Sequence, residues 1–274
     1  MSRIEDALSK ATQRQSGISP PAAWSSFRHE NTTLPPPTPV EPGRLSEEKL
    51  VVLKNPASLE AEEFRKLKES LVKAITSPGT FNNIVLITSA HHGEGKSLIT
   101  ANLAISLAQE YDHTVMVVDA DLRLPSCHRY LDVKPEKGLA DCLAEGLDVG
   151  SALVKTGIPK LVLLPAGKKT VKNPLELLSS NSMRRLMTEM KQRYPDRILL
   201  VDTPPVLLFA ETRALSDLAD SVVLVVREGE CSLEEVRECM TLLNNKVLGL
   251  VYNATSYAPT AASYADYDYS SCLE

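Results

Sequence analysis

The sequence predicts an α/β fold, a mostly parallel sheet sandwiched by helices, and three observations lead to it. Six short apolar runs occur at 84–87, 115–118, 161–164, 198–201, 222–226 and 247–251. They lack the alternation of a half-exposed strand, which is how strands covered on both faces read, and such strands are usually parallel. Helical patterns separate them at 97–110, 138–145, 182–193, 211–219 and 232–244. Strand alternating with helix is the pattern of a sheet with helices on both sides. Ligands of such sheets sit beyond the carboxyl ends of the strands.

The chain divides into four parts. Residues 1–14 hold a short amphipathic helix, with Ile4, Ala7, Leu8 and Ala11 at i, i+3, i+4 and i+7. It is too short to be stable alone in water, so it is frayed or docked on a partner. Residues 15–56 read as a disordered linker, because seven prolines fall between Pro20 and Pro42 and such a stretch builds no core. Trp24 and Phe27 lie inside it. The folded domain is expected at 57–253. It opens with a helix at 58–76, whose apolar stripe is Leu59, Phe64, Leu67, Leu71 and Ile75, with Ser58 as N-cap and Pro78-Gly79 as the stop. Residues 254–274 are small, polar and aromatic with no periodic apolar face, and read as a flexible tail.

Composition narrows the function. Over 274 residues the net charge is −5, which argues against nucleic acid as a partner, since such surfaces are usually basic. No apolar run approaches the roughly 20 residues that cross a bilayer, and Met1 to Asp6 open no secretory signal. The five cysteines lack a CxxC pair, which suggests reduced thiols and a cytoplasmic location. One bias stands out: five of the eight tyrosines (252, 257, 264, 267 and 269) fall after residue 251. Tyr252 belongs to the last strand pattern and reads as structural. The other four stand in the tail.

Residues 90–97, Ala-His-His-Gly-Glu-Gly-Lys-Ser, follow one apolar run and open a helical pattern. A phosphate-binding loop needs these types in this order, and here Ala90 stands in place of its first glycine. Gly93 and Gly95 let the backbone curl until its N–H groups face an anion. The helix N-terminus adds partial positive charge. Lys96 reaches the β- and γ-phosphates and Ser97 ligates Mg²⁺. The expected nucleotide contacts are His92, Gly93, Glu94, Gly95, Lys96, Ser97 and Leu98, with Asn253 at the end of the last strand against adenine. The fold is thus a P-loop NTPase-like sheet.

Two acidic clusters follow other strands: Asp119-Ala120-Asp121 and Asp202-Thr203-Pro204-Pro205. Carboxylates at strand ends beside a phosphate loop are where Mg²⁺ finds oxygens, so Ser97, Asp119 and Asp202 are the expected metal ligands. Asp119 and Asp121 alternate along an extended segment and can face one side. Either can accept a proton, and the sequence leaves open which. Asp121 can equally be a turn residue. Arg123 reads evenly as a phosphate contact or a turn cap. His91 and His92 do not read as metal ligands, because no Cys or carboxylate is spaced in sequence to join them.

Together these clusters resemble the bacterial tyrosine kinases, an ATPase-derived family unrelated to the eukaryotic kinases. The matching residues are Ala90–Ser97 (Walker A), Val117–Pro125 (VVDADLRLP, the second Walker A-like motif) and Ile198–Val206 (ILLVDTPPV, Walker B). The tail resembles the family's autophosphorylation cluster. The N-terminal MSRIEDALSKA and the linker look most like the exosortase-associated autokinase branch, which serves exopolysaccharide systems. The resemblance implies ATP and Mg²⁺ as cofactors and Lys96, Asp119, Asp121 and Asp202 as catalytic residues. It implies tyrosine autophosphorylation at Tyr257, Tyr264, Tyr267 and Tyr269, with other protein tyrosines as further substrates. It also implies a homo-oligomer through an ExxRxxR-type helix, read here as Glu62, Arg65 and Lys68. Lys68 replaces the last arginine and cannot reproduce its bidentate contacts. The implied activator is a membrane protein of the polysaccharide chain-length (co-polymerase) type, recruiting the chain to the inner membrane face. Two other readings stay open. One is a partitioning-type ATPase switch, against which stand the tail and the absence of a lysine at the start of the loop (Ser89-Ala90-His91-His92). The other is a non-catalytic nucleotide-sensing scaffold.

Overall fold

The computed structural model describes residues 49–77, 80–168, 171–193 and 196–256. The helix expected at 2–14, the linker up to residue 48 and the four tail tyrosines lie outside the described residues. A two-stranded antiparallel ribbon pairs β1 (Thr76–Ser77) with β2 (Thr80–Phe81). The main sheet holds β3 (Ile84–Ser89), β4 (Thr114–Asp119), β5 (Val154–Lys155), β6 (Leu161–Leu164), β7 (Arg197–Asp202), β8 (Ser221–Arg227) and β9 (Val247–Asn253). Its strand order is β5-β6-β4-β7-β3-β8-β9. Every pairing is parallel except β5 with β6 at one edge.

The helices in chain order are α1 (Val51–Lys54), α2 (Leu59–Ile75), α3 (Lys96–Ala108), α4 (Cys127–Tyr130), α5 (Leu139–Glu145), α6 (Val149–Ala152), α7 (Pro174–Leu178), α8 (Asn181–Arg193), α9 (Ala210–Ser216) and α10 (Leu233–Leu242). Ser58 caps α2 as expected, its hydroxyl accepting from Ala61 N at 3.1 Å.

The unbroken apolar runs follow from the two covered faces. Ile84, Leu86, Met116, Val118, Leu199 and Val201 face one core, shared with Leu139, Met183, Met187 and Val236. Val85, Ile87, Val115, Val117, Ile198 and Leu200 face the other, shared with Leu71, Ile75, Leu103 and Leu107. Alternation therefore sorts residues between two apolar layers rather than between core and water. Helix α3 is buried at every position but Leu98, and its polar side chains Thr100, Asn102 and Ser106 donate to the carbonyls of Lys96, Leu98 and Phe64, as buried polar groups require. The buried hydrophobic residues are aliphatic, with methionine and cysteine, and include no Phe, Tyr or Trp among the described residues.

The folded part starts earlier than residue 57. Leu50 and Val52 are buried in the second core, Val52 N donates to Asn102 Oδ1 at 3.3 Å, and Asn102 Nδ2 donates to Lys49 O at 3.1 Å. Composition placed these residues in the linker because one helical turn between prolines carries no periodicity.

Candidate nucleotide and phosphoryl-transfer site

Strands β3, β4 and β7 end side by side, and the segment joining β3 to α3 is the phosphate loop. Gly93 and Gly95 have φ of 86° and 94° there, a region that favours glycine. A Cβ on Gly95 would lie 2.2 Å from Asn253 Nδ2. That amide donates to Glu94 O at 2.8 Å, so the end of β9 holds the loop backbone directly. Glu94 is 1% exposed, and its two oxygens accept from His91 N at 2.6 Å and Arg227 N at 3.2 Å. Its carboxylate fastens the loop to β8, so its expected role toward nucleotide is left to its backbone. His92 and Gly93 are exposed, and Leu98 is half-buried.

Behind the loop the charged residues converge. Lys96 Nζ lies 3.0 Å from Asp121 Oδ2, with both side chains nearly buried. Ser97 Oγ donates to Asp202 Oδ2 at 2.5 Å. Asp119 and Asp202 are partners in the β4–β7 register. Asp119 Oδ2 accepts from Ser126 N and Cys127 N, each at 3.1 Å, and Asp121 Oδ1 accepts from Leu124 N at 3.0 Å. Asp121 is therefore both the turn residue and the partner of Lys96.

Asp119 Oδ1 and Asp202 Oδ1 are buried without a hydrogen-bond partner. Burial, together with the Asp202 charge, pushes the Asp119 carboxyl well above its ordinary range. Burial likewise raises Asp202, while Lys96, Ser97 and Cys127 act to lower it. Burial opposes the charge on Lys96, but Asp202 and Asp121 outweigh it and raise its pKa. Two unsatisfied anionic oxygens in a dry pocket are costly alone and suit a divalent cation. With the Ser97 hydroxyl they form an all-oxygen set of the kind that fits Mg²⁺.

Cys127 belongs to this centre and was not anticipated. Its thiol donates to Asp202 Oδ2 at 3.3 Å, and burial pushes its pKa far up, so it stays protonated. The signal available in sequence was only its position after the second acidic cluster.

Other residues fall differently from expectation. Arg123 has side-chain partners of its own within the chain. Its Nε and Nη2 donate to Glu211 Oε1 at 2.9 and 2.6 Å, and its guanidinium stacks 4.5 Å above the Phe209 ring. Glu62 and Arg65 pair with each other at 2.5 Å, Arg65 also donates to Pro56 O, and Lys68 pairs with Glu110 at 3.1 Å. The three helix charges thus have partners within the chain. Tyr252 lies in β9 as expected, but 57% exposed. His91 does have side-chain company: its Nε2 lies 2.9 Å from Glu235 Oε1, with Cys231 beside them. Both were invisible to local spacing because they come from the turn into α10.

A family profile described as an AAA domain matches residues 82–248. The tyrosine-protein kinase YwqD of Bacillus subtilis (strain 168) is 32% identical over 214 residues, covering 77% of this chain and 88% of that protein. The putative tyrosine-protein kinase EpsB of Ralstonia solanacearum is 36% identical over 196 residues, which span 70% of this chain but only 25% of that longer protein. Among solved structures, the kinase domain of the Escherichia coli tyrosine kinase ETK superposes with a TM-score of 0.68 at 30% identity, covering 76% of this chain and 82% of that one. With its phosphate loop, strand-end carboxylates Asp119 and Asp202 and the Lys96–Asp121 pair, the chain belongs to the bacterial tyrosine-protein kinases.

Proposed function

We propose that the chain transfers the γ-phosphoryl group of ATP to tyrosine hydroxyls, beginning with its own Tyr257, Tyr264, Tyr267 and Tyr269. The observation that carries this is the convergence of Lys96, Ser97, Asp119, Asp121 and Asp202 behind one glycine loop, with two carboxylate oxygens left unpartnered. The phenol oxygen bonds to the γ-phosphorus, the bridging oxygen leaves with ADP, and the phenol proton passes to a carboxylate. Loop N–H groups and Lys96 hold the β- and γ-phosphates, with Asn253 keeping the loop in shape. Mg²⁺, held by Ser97, Asp119 and Asp202, would neutralise charge on the phosphates. Asp121 receives the proton. Asp119 gives Oδ2 to two backbone amides and Oδ1 to the metal, whereas Asp121 Oδ2 is bound to Lys96, which turns toward phosphate when ATP enters. Catalysis is then mainly positioning and charge neutralisation.

Self-association is supported by β9, a sheet edge that leaves Leu248, Leu250 and Tyr252 exposed beside α2, the helix carrying Glu62, Arg65 and Lys68. An edge strand with apolar side chains is a surface that a second chain can cover. The exopolysaccharide context and a membrane activator of the chain-length type rest on the resemblance of the N-terminal segment. No helix among the described residues is long and apolar enough to cross a membrane.

The test is to incubate the purified chain with Mg²⁺-ATP and map phosphate by mass spectrometry. Phosphotyrosine within residues 257–269, absent from Lys96→Met, is the expected result. Free phosphate without phosphotyrosine in the presence of the membrane activator overturns the reading in favour of an ATPase switch.

A further inference from the structure

Outside the catalytic pocket a second cluster of ligand-type side chains has formed. His91 Nε2, Cys231 Sγ and a Glu235 carboxylate oxygen lie within 4.8 Å of one another. The three residues come from two separate parts of the fold. His91 sits in the phosphate loop, and Cys231 and Glu235 lie at the entry to α10. The cluster shares no residue with Asp119, Cys127 and Asp202.

Each donor is held in place or free to move as a metal ligand needs. The backbone around His91 is tied on both sides, its N–H to Glu94 Oε2 at 2.6 Å and its carbonyl to Ser89 Oγ at 2.7 Å. Glu235 uses one oxygen for the cap of α10, accepting from Ser232 N at 2.8 Å and Ser232 Oγ at 2.9 Å. Its other oxygen faces His91 Nε2 at 2.9 Å. Cys231 is half-exposed, with a free thiol that contacts only the carbonyl of Ser232, at 3.6 Å, among its hydrogen-bond partners. Imidazole, thiolate and carboxylate are the donors of zinc-type sites. Bonds of about 2.3 Å to sulfur and about 2.0–2.2 Å to nitrogen and oxygen bring three atoms this close onto one centre after a small rotation of Cys231. The catalytic pocket offers Mg²⁺ the oxygens of Ser97, Asp119 and Asp202, with its Cys127 thiol hydrogen-bonded to Asp202, whereas this cluster offers an imidazole, a thiol and a single carboxylate oxygen, so the two suit different cations.

We propose that His91, Cys231 and Glu235 form a binding site for a thiophilic divalent cation of the zinc class, with one coordination position left to water. The cation takes the place of the hydrogen between His91 Nε2 and Glu235, leaving the imidazole its hydrogen on Nδ1, and the displaced proton and the Cys231 thiol proton pass to solvent as the metal–ligand bonds form. A cation bound there clips the first turn of the phosphate loop to α10.

The probe is Co²⁺, whose bond to a thiolate gives a charge-transfer absorption that oxygen and nitrogen ligands do not give. The full chain, stripped with chelator and saturated with Mg²⁺-ADP to fill the catalytic pocket, is titrated with Co²⁺ and then with Zn²⁺. One equivalent of Co²⁺ with a thiolate band, displaced by Zn²⁺, is expected. The band is lost in Cys231→Ser and retained in Cys127→Ser. Affinity falls at least tenfold in His91→Gln and Glu235→Gln. Melting curves confirm that each variant is folded, and Cys231, half-exposed in a turn, is the substitution least able to disturb the fold. The absence of a thiolate band in the parent chain overturns the proposal. So does a band that survives Cys231→Ser, because the metal is then held by another cysteine.

Discussion

Asp202→Asn is expected to raise the melting temperature of the nucleotide-free protein while abolishing its response to Mg²⁺-nucleotide. Asp202 is fully buried, faces Asp119 across the β4–β7 pairing, and keeps Oδ1 without a partner. A buried group left unsatisfied costs about 1–3 kcal/mol, and more when charged. An amide at 202 keeps an oxygen for the Ser97 hydroxyl and the Cys127 thiol and removes one of three neighbouring negative charges. In a domain of this size each kcal/mol moves the melting temperature by about 2–4 °C, so the rise should be about 2–12 °C. The pH dependence carries its own sign. Burial raises the Asp202 carboxyl above its ordinary 3.8, so the folded chain binds that proton more tightly than the unfolded chain does. The parent protein therefore gains relative stability as pH falls through the raised value toward 3.8, and the advantage of the Asn variant shrinks over that window. Scanning calorimetry from mildly acidic to neutral pH, with and without Mg²⁺-ADP, reads both effects. At about 100 times Kd the parent should gain about 2.7 kcal/mol from nucleotide, and the variant much less. A variant that melts below the parent without nucleotide, or a gap that does not change with pH, refutes the argument from the unpartnered carboxylate.

Four further outcomes are expected. Gly95→Ala forces a side chain into a left-handed φ of 94° and a Cβ onto Asn253. The backbone cost alone is about 1–2 kcal/mol, and fluorescent-ADP titration should show at least a tenfold loss that Asn253→Ala partly relieves. Arg123→Ala leaves the Glu211 carboxylate, 2% exposed, without its guanidinium; urea unfolding should show a loss of about 1–3 kcal/mol, with Arg123→Ala/Glu211→Gln closer to the parent. Ser58→Ala removes the cap of α2 and should cost about 0.5–2 kcal/mol in the same assay. Four phosphates on the tail add a charge of roughly −6 to −8 at pH 7; light scattering should find a smaller oligomer for the phosphorylated chain than for a chain with phenylalanine at 257, 264, 267 and 269.

What could be read from the sequence follows how local each signal is. The six main strands were legible because both faces are apolar, so every residue of a run reports the same burial. The phosphate loop was legible because its glycines, Lys96 and Ser97 are consecutive and flanked by strand and helix. The wiring around it was not. Asn253 reaches Glu94 across 159 residues and Cys127 reaches Asp202 across 75, and these contacts exist only because parallel strands deliver their ends to one side. The ionic partner of Arg123 and the neighbours of His91 were hidden for the same reason. Short pieces such as α1 and β5 were missed because four or two residues hold no period.

The bond from Asn253 to the phosphate loop also fixes where the tyrosine segment begins. The chain leaves β9 at the rim of the nucleotide site, and Ser256 N donates to Glu228 Oε2 just beyond it, so chain length alone bounds how far each later tyrosine can stand from that rim. At no more than about 3.6 Å per residue, Tyr257 can stand at most roughly 14 Å from Asn253 and Tyr269 at most about 58 Å. A short leash is hard to turn back on its own anchor; a long one returns easily, at an effective concentration in the millimolar range. Labelling of Tyr269 within one chain should therefore be independent of protein concentration, whereas labelling of Tyr257 should rise as chains are brought together. The order in which the tyrosines fill is then set by their distance along the chain from Asn253 as much as by the residues around them.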